Sequence, residues 1–276
     1  MTANDEILYL TALGEVKSLR VNQYPDGMPM VPHAIGFRQK IVRVLLRPSS
    51  MQAFVAAMFW IDALAERGYD IPDLILPFVP GARQDRLNDA GDFLFTAKSV
   101  AKMINARRFP RVTIVDPHSE VTPGLIDRCE VVPAAWCFPK QSYAAVIAPD
   151  AGAEKRALGV ATKLEVQLYH AWKRRNISTG AISGFGVEPL PVGIGRVLVV
   201  DDICDGGGTF LGLAGQLGTM TADLFVTHGI FSQGTAPLLS RFGTVYTTDS
   251  ILGAPRDGVT VIPCCERLLT EEETPT

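Results

Sequence analysis

The sequence predicts an α/β fold built in two similar halves, and three observations carry that expectation. Short apolar, strand-like runs alternate with helical runs along most of the chain. The alternation restarts after a Pro-bearing connector, Val132 to Lys140. One run, Val197 to Val200, is apolar at four consecutive positions, as in a strand buried on both faces of a parallel sheet. No residue-level repeat relates the halves, so the division into 1–140 and 141–276 rests on pattern alone.

Taken in order, Ile41 to Arg47 reads as a strand and Met51 to Arg67 as a helix broken by Gly68. Asp73 to Phe78 is the next strand, Thr96 to Arg107 the next helix, and Arg111 to Asp116 a third strand. After the connector come a strand at Ala144 to Ala148, a helix at Gly152 to Leu164 and a strand at Val166 to His170. The apolar strand from Val197 follows, then a helix from Thr209 to Leu217 and a strand from Ala222 to Gly229. The tail Glu271 to Thr276 is acidic and expected to fray.

Composition narrows the function classes. Lys and Arg number 26 against 29 Asp and Glu, a net charge of −3, so no basic excess points to nucleic acid as a partner. The longest apolar stretch, Met51 to Ile61, is too short to span a bilayer, and no membrane association is expected. No charged segment followed by an apolar core opens the sequence, so no signal peptide is expected. The five cysteines are odd in number and lack paired metal spacing. They read as reduced thiols of a cytoplasmic protein.

The chemistry concentrates where strands end. Asp201 and Asp202 close the apolar strand, and Asp205, Gly206, Gly207, Gly208 and Thr209 lead into a helix. Glycines let backbone N–H groups crowd an anion, and a helix N-terminus favours negative charge. Carboxylates beside such a cradle repel phosphate, but they suit the hydroxyls of a sugar phosphate. Taken alone, the same run also reads as an acidic turn.

Gly81-Ala-Arg-Gln-Asp-Arg86 sets two guanidiniums and an amide at another strand end, a nucleotide clamp or a solvated loop. Asp116-Pro-His-Ser119 offers His118 to a metal, or merely to a hydrogen bond. Pro149 to Arg156 offers Asp150 to a metal and Lys155 to a phosphate, or a helix cap with a charge pair. Lys173-Arg-Arg175, before the flexible-looking stretch Asn176 to Gly186, reads as a basic loop closing over an anionic transition state or as a solvated charge run. Jointly the loops describe a site for a polyanion, a divalent metal and a sugar.

These residues resemble the ribose-phosphate diphosphokinases, also called phosphoribosyl-pyrophosphate (PRPP) synthetases. Asp201 to Thr209 is similar to the PRPP motif shared with type I phosphoribosyltransferases. Pro77 to Arg86 resembles the synthetases' ATP loop, Asp116-Pro-His118 their metal segment, Pro149 to Arg156 their Pro-Asp-Ala-Gly-Gly-x-Lys-Arg run, and Thr227-His-Gly-Ile-Phe-Ser232 a further signature. The matches run in family order from Tyr24 to Ser250.

The resemblance implies two tandem type I phosphoribosyltransferase-like domains, each a mainly parallel sheet flanked by helices. It also implies ATP- and Mg²⁺-dependent transfer of the β,γ-diphosphate of ATP to the anomeric hydroxyl of ribose 5-phosphate. By resemblance, Arg83, Gln84, Asp85, Arg86 and His118 serve ATP, and His118 and Asp150 serve Mg²⁺. Asp201 and Asp202 take the ribose hydroxyls, and Asp205 to Thr209 the 5-phosphate. Lys173 and Arg175 are the catalytic pair on a closing loop. Tyr24-Pro-Asp-Gly-Met28 corresponds to a segment that reaches a neighbouring subunit's adenine, which assigns Tyr24, Asp26 and Met28 to ATP and implies a homo-oligomer, dimer or hexamer.

Several departures are visible. Ala171 follows His170 where the family has its loop Lys, so Lys173 assumes a small shift. Met28 replaces a Glu and cannot accept a hydrogen bond, and the family's Gly-Ser-Ser start is not seen. Gly206 stands where the family usually has Thr, removing a hydroxyl and adding room. That room raises an alternative acceptor, a ribose-5-phosphate-containing nucleotide such as ADP-ribose. A non-catalytic PRPP-synthetase-associated subunit is a further alternative, favoured by Met28 and the Lys173 shift and opposed by the retained Arg83, His118, Asp150 and acidic pair. A phosphoribosyltransferase consuming PRPP is disfavoured by the ATP loop and by Thr227 to Ser232.

Overall fold

The structure is a computed structural model that describes residues 6–20, 22–26, 28–30, 40–48, 50–87, 94–175, 182–251 and 256–271. The chain divides into two compact units, one of residues 1–132, 250–253 and 263–276 and the other of 133–249 and 254–262. This differs from a single cut near residue 140, because the C-terminal residues group with the first unit. There Arg43 donates to the carbonyls of Leu268 (3.3 Å) and Leu269 (3.2 Å), and Arg47 pairs with Glu266 at 2.8 Å.

The first unit opens with strands β1 (Glu6–Thr11) and β2 (Val16–Arg20), then a two-residue pairing of β3 (Asn22–Gln23) with β4 (Pro29–Met30). It continues through β5 (Ile41–Leu46), helix α1 (Met51–Glu66), β6 (Asp73–Ile75), α2 (Thr96–Asn105), β7 (Val112–Val115), α3 (Val121–Leu125) and β8 (Cys129–Val132). Among the described residues its sheet has six strands in the order β2-β1-β5-β6-β7-β8. β5 to β8 run parallel, and β1 is antiparallel to both its neighbours.

Helix α1 starts where Ser50 caps the Ala53 N–H at 3.1 Å and ends before Gly68, whose φ of +79° suits glycine. It buries Phe54, Met58, Trp60, Ile61 and Leu64 against the sheet's Val44, Leu46, Leu74 and Ile114. β6 stops short of the expected Phe78 because Pro77 has no N–H for the ladder.

The second unit holds β9 (Ala145–Ala148), a 3₁₀ turn at Ala151–Ala153, α4 (Glu154–Leu164), β10 (Gln167–Arg175) and β11 (Ile182–Val187). It continues with β12 (Val197–Cys204), α5 (Gly208–Leu217), β13 (Ala222–Gly229), α6 (Ala236–Leu239), β14 (Val245–Thr248) and β15 (Thr260–Ile262). The short helix α7 (Arg267–Thr270) belongs to the first unit.

Among the described residues the second sheet has seven strands, β11-β10-β9-β12-β13-β14-β15, parallel except for β11. β12 is buried on both faces as its sequence predicts. Val197 and Val199 pack with Leu213 and Leu217 of α5, whereas Leu198 and Val200 pack with Ala157, Val160 and Ala161 of α4. After β9 the chain passes to β10 on one side and returns to β12 on the other. The C-terminal ends of β9 and β12 therefore border a topological switch point, where open α/β sheets bind ligands.

One expectation is corrected here. Lys173 to Arg175 do not lie on a loop beyond a strand ending at His170. β10 continues to Arg175 because β11 pairs with it, Lys173 opposite Phe185 and Arg174 opposite Gly184. Residues 176–181 of the expected flexible stretch, and 272–276 of the acidic tail, lie outside the described residues. No helix among the described residues is long and apolar enough to cross a membrane.

Candidate active site

In the second unit, Asp201 and Asp202 lie within β12 and are 9% and 4% exposed. The Asp202 N–H donates to Asp201 Oδ1 at 2.8 Å. Arg156 of α4 sets Nη1 3.4 Å from Asp201 Oδ1 and 3.5 Å from Asp202 Oδ1, and anchors the same nitrogen on the Gly152 carbonyl at 3.0 Å. Burial, and then the neighbouring Asp202 charge, raise the Asp201 carboxyl well above the ordinary range, while Arg156 pulls the other way. Two acidic groups are thus held dry and close, ready to accept hydrogen bonds from hydroxyl donors.

Beyond them the chain turns through Asp205 and three glycines into α5. Gly207 caps the helix at φ +77°, a conformation that favours glycine, and an added Cβ there would come within 3.2 Å of Leu238. Gly206 and Gly208 are not in the left-handed region. A Cβ on Gly206 would sit 3.6 Å from Gln233 Cγ, and one on Gly208 would meet nothing within 4 Å. The first N–H groups of α5, near Thr209, have no partners within the helix, and such donors suit an anion.

The segment Thr227 to Ser232 braces this turn: the Ile230 and Phe231 N–H groups both donate to the Cys204 carbonyl, at 2.8 and 3.0 Å. The buried Cys204 thiol is pushed up to about 12 by burial and by the charges of Asp201 and Asp205, which keeps it inert.

Asp150 follows β9 and has both oxygens engaged. Oδ1 accepts from the Gly152 N–H at 2.9 Å, capping the 3₁₀ turn, and Oδ2 pairs with Lys173 Nζ at 2.6 Å. The two residues offered separately by sequence, one to a metal and one to catalysis, thus meet as an ion pair. Arg175 is paired with Ile182 in the strand, but its side chain lies outside the described residues.

In the first unit, the loop after β6 turns at Gly81, φ +74°, and is pinned by the Gln84 N–H to the Gly81 carbonyl (2.9 Å) and the Ala97 N–H to the Gln84 carbonyl (3.2 Å). Arg83, Gln84 and Arg86 are exposed, whereas Asp85 is buried. Asp85 accepts from Arg86 Nε at 2.8 Å and from Ser119 Oγ at 2.5 Å. The Arg86 hydrogen bonds, then Ser119 and the Arg86 and His118 charges, hold its carboxyl below the ordinary range against burial. Because β6 and β7 are neighbours, this loop and the segment carrying His118 and Ser119 come together, with His118 half-buried. Tyr24 and Met28 are half exposed. The Tyr24 N–H donates to the Met28 carbonyl at 2.8 Å, and Asp26 Oδ1 accepts from the Met28 N–H at 3.0 Å.

No family model matches the chain. A ribose-phosphate pyrophosphokinase from Methanopyrus kandleri is 30% identical over 270 residues, covering 90% of this chain and 89% of that protein. The chain belongs to the ribose-phosphate pyrophosphokinase family. The enzyme of that name from Pyrococcus furiosus is 26% identical and covers 91% of this chain and 94% of its own length. The fold is that of a phosphoribosylpyrophosphate synthetase from Mycobacterium smegmatis: TM-score 0.74 at 22% identity, over 91% of this chain and 87% of that one.

Three residues beside the predicted polar groups, Ser119 in the first unit and Arg156 and Glu188 in the second, were not singled out by sequence. Arg156 closes a run that was itself recognised, and its reach back to Gly152, four residues earlier, is a helical-spacing signal. Ser119 shows its role only when β7 lies beside β6. Glu188 follows β11, accepts from the His170 N–H at 2.8 Å and faces His170 Nδ1 at 3.3 Å, and that N–H chiefly holds its carboxyl low.

Proposed function

We propose that this enzyme transfers the β,γ-diphosphate of ATP to the anomeric hydroxyl of ribose 5-phosphate, giving PRPP and AMP. The observation that carries this reading, given the family, is the buried acidic pair beside the glycine turn into α5 at a switch point. Asp201 and Asp202 accept hydrogen bonds from the ribose hydroxyls, and the N–H groups around Gly206 to Thr209 take the 5-phosphate. The anomeric oxygen attacks the β-phosphorus of ATP, the bond from that phosphorus to the α,β-bridging oxygen breaks, and the hydroxyl proton is released as AMP leaves. Lys173 and Arg175 offset the charge that builds on the transferred group, so positioning and electrostatics do most of the catalysis.

Arg83, Gln84 and Arg86 grip ATP, with Asp85 holding Arg86 in place and His118 alongside. Tyr24, Asp26 and Met28 serve the adenine of a neighbouring subunit's ATP in a homo-oligomer, which their exposure permits. The carboxylate of Asp150 suits Mg²⁺, a hard ion that prefers oxygen, and His118 suits it through water. Mg²⁺ supplies neutralising charge on the phosphates of ATP. Asp150 Oδ2 would hold that ion, and Lys173, which now pairs with this oxygen, would then be available to the transferred group. ATP as co-substrate and the free cysteines suit a cytoplasmic location.

Gly206 supports a second acceptor reading. Neither its backbone conformation nor close packing requires glycine there, so the bare position leaves room for a substituent on the 5-phosphate, as in ADP-ribose. The test is AMP release with ATP and Mg²⁺ and each acceptor in turn. Turnover with ribose 5-phosphate and none with ADP-ribose supports the first reading. The reverse result supports the second, and AMP from neither leaves the non-catalytic subunit.

A further inference from the structure

Lys173 stands on a ribbon that leaves the sheet. Among the described residues, β10 pairs with β9 from Gln167 to His170, and from Ala171 to Arg175 its partner is β11. A two-stranded ribbon is marginal by itself and needs packing against another element. Phe185 supplies that packing. It lies directly opposite Lys173 in the pairing, hence on the same face of the ribbon. Its ring rests on Gly212 of α5 so closely that a Cβ on Gly212 would lie 2.0 Å from Cε2 and 2.3 Å from Cζ.

Glycine is among the poorest helix formers, and Gly212 sits in the interior of a ten-residue helix without a positive φ. The ring above it accounts for the residue. Gly212 lies one turn along α5 from Gly208, on the same side of the helix as the start of the acceptor cradle. On the other face of the ribbon, the Trp172 ring lies against the backbone of Gly186, its opposite number, and so reports on the ribbon's conformation.

We infer that Phe185 and its Gly212 notch are positioning residues, locking the Lys173 ribbon to the helix whose first turn holds the acceptor. This rests on the assignment of Lys173 to catalysis. Nucleophile and charge-stabilising group would then move as one body, and ribbon slippage would misplace Lys173 without emptying either substrate site.

The experiment compares Phe185→Ala, Gly212→Ala and the double variant Phe185→Leu/Gly212→Ala with wild type. It measures steady-state AMP release well below each Tm, and acrylamide quenching of Trp172, isolated by difference against Trp172→Phe. We expect each single variant to lose about 100-fold in kcat, with KM for ATP and for the acceptor unchanged. In Phe185→Ala, Trp172 becomes more quenchable. The smaller Leu leaves space for the new methyl, so the double variant recovers turnover relative to Gly212→Ala.

Wild-type kcat in both single variants, a change confined to KM, or unchanged Trp172 quenching overturns the inference. Full turnover in Lys173→Ala overturns the catalytic assignment, and the positioning role with it. Loss in Lys173→Ala with none in the Phe185 and Gly212 variants overturns the positioning role alone. If the wild-type protein releases no AMP with either acceptor, the proposed activity fails, and the quenching measurement still decides whether Phe185 docks the ribbon.

Discussion

The acidic end of β12 and the basic loop after β6 are both polar segments at strand ends, yet they are built on opposite plans. Asp201 and Asp202 are buried, share Arg156, and are fixed before any ligand arrives. Arg83 and Gln84 are exposed, and Asp85 beside them is buried. Under the proposed function, the difference follows from what each would recognise. Hydroxyl groups are weak partners, and a carboxylate accepts from them strongly only where water is excluded. A polyphosphate attracts guanidinium groups even through water, so its recognition does not require them to be buried beforehand.

Six substitutions would break or sharpen this contrast. The largest effect belongs to Lys173→Ala, expected to lower kcat by about 10³-fold while ATP affinity in an equilibrium titration stays unchanged. Retained turnover would remove Lys173 from the prearranged side altogether.

Next, Arg156→Ala leaves two buried carboxylates uncompensated and should lower stability by about 3 kcal/mol in urea unfolding. Its counterpart, Asp201→Asn, should do the reverse. The raised Asp201 value means that the stability from its protonated form is complete below the ordinary aspartate pKa, about 4, and is lost as pH rises through the folded value. The Tm gain in Asp201→Asn should therefore grow from acid to neutral pH while acceptor use is lost. A gain that shrinks with pH would contradict the burial argument.

On the solvated side, Arg83→Ala should leave Tm unchanged and raise KM for ATP about tenfold, the scale of one charge-assisted hydrogen bond. A large Tm drop would show that this loop, too, is braced internally. The smallest effects separate two neighbouring glycines. Gly207→Ala should cost about 1 kcal/mol in thermal unfolding because of its positive φ, and Gly206→Ala nearly nothing. Equal effects would remove the argument that Gly206 is bare for the ligand's sake.

Strong local patterns were legible in the sequence. The strand Ala222–Gly229 and the start of α1 at Met51 fall where periodicity puts them, since each is an unbroken apolar pattern beside turn residues. β11 was missed because Gly184 and Gly186 weaken a strand signal, and its partner β10 supplies what the sequence lacks. For the same reason the end of β10 read as a loop. The polar groups at the strand ends were found without knowledge of which would meet.

By itself the sequence determined the α/β class, the apolar strand ending in two aspartates, the glycine turn after it and the resemblance that named the chemistry. These are properties of adjacent residues, and local sterics and hydrophobic burial settle them. Tertiary structure alone decided that Arg156 meets Asp201 across 45 positions, that Ser119 meets Asp85 across 34, and that Lys173 stands on a ribbon paired with Asp150. Such contacts depend on which strands become neighbours. Strand order is set by packing the whole sheet, and no short stretch of sequence encodes it.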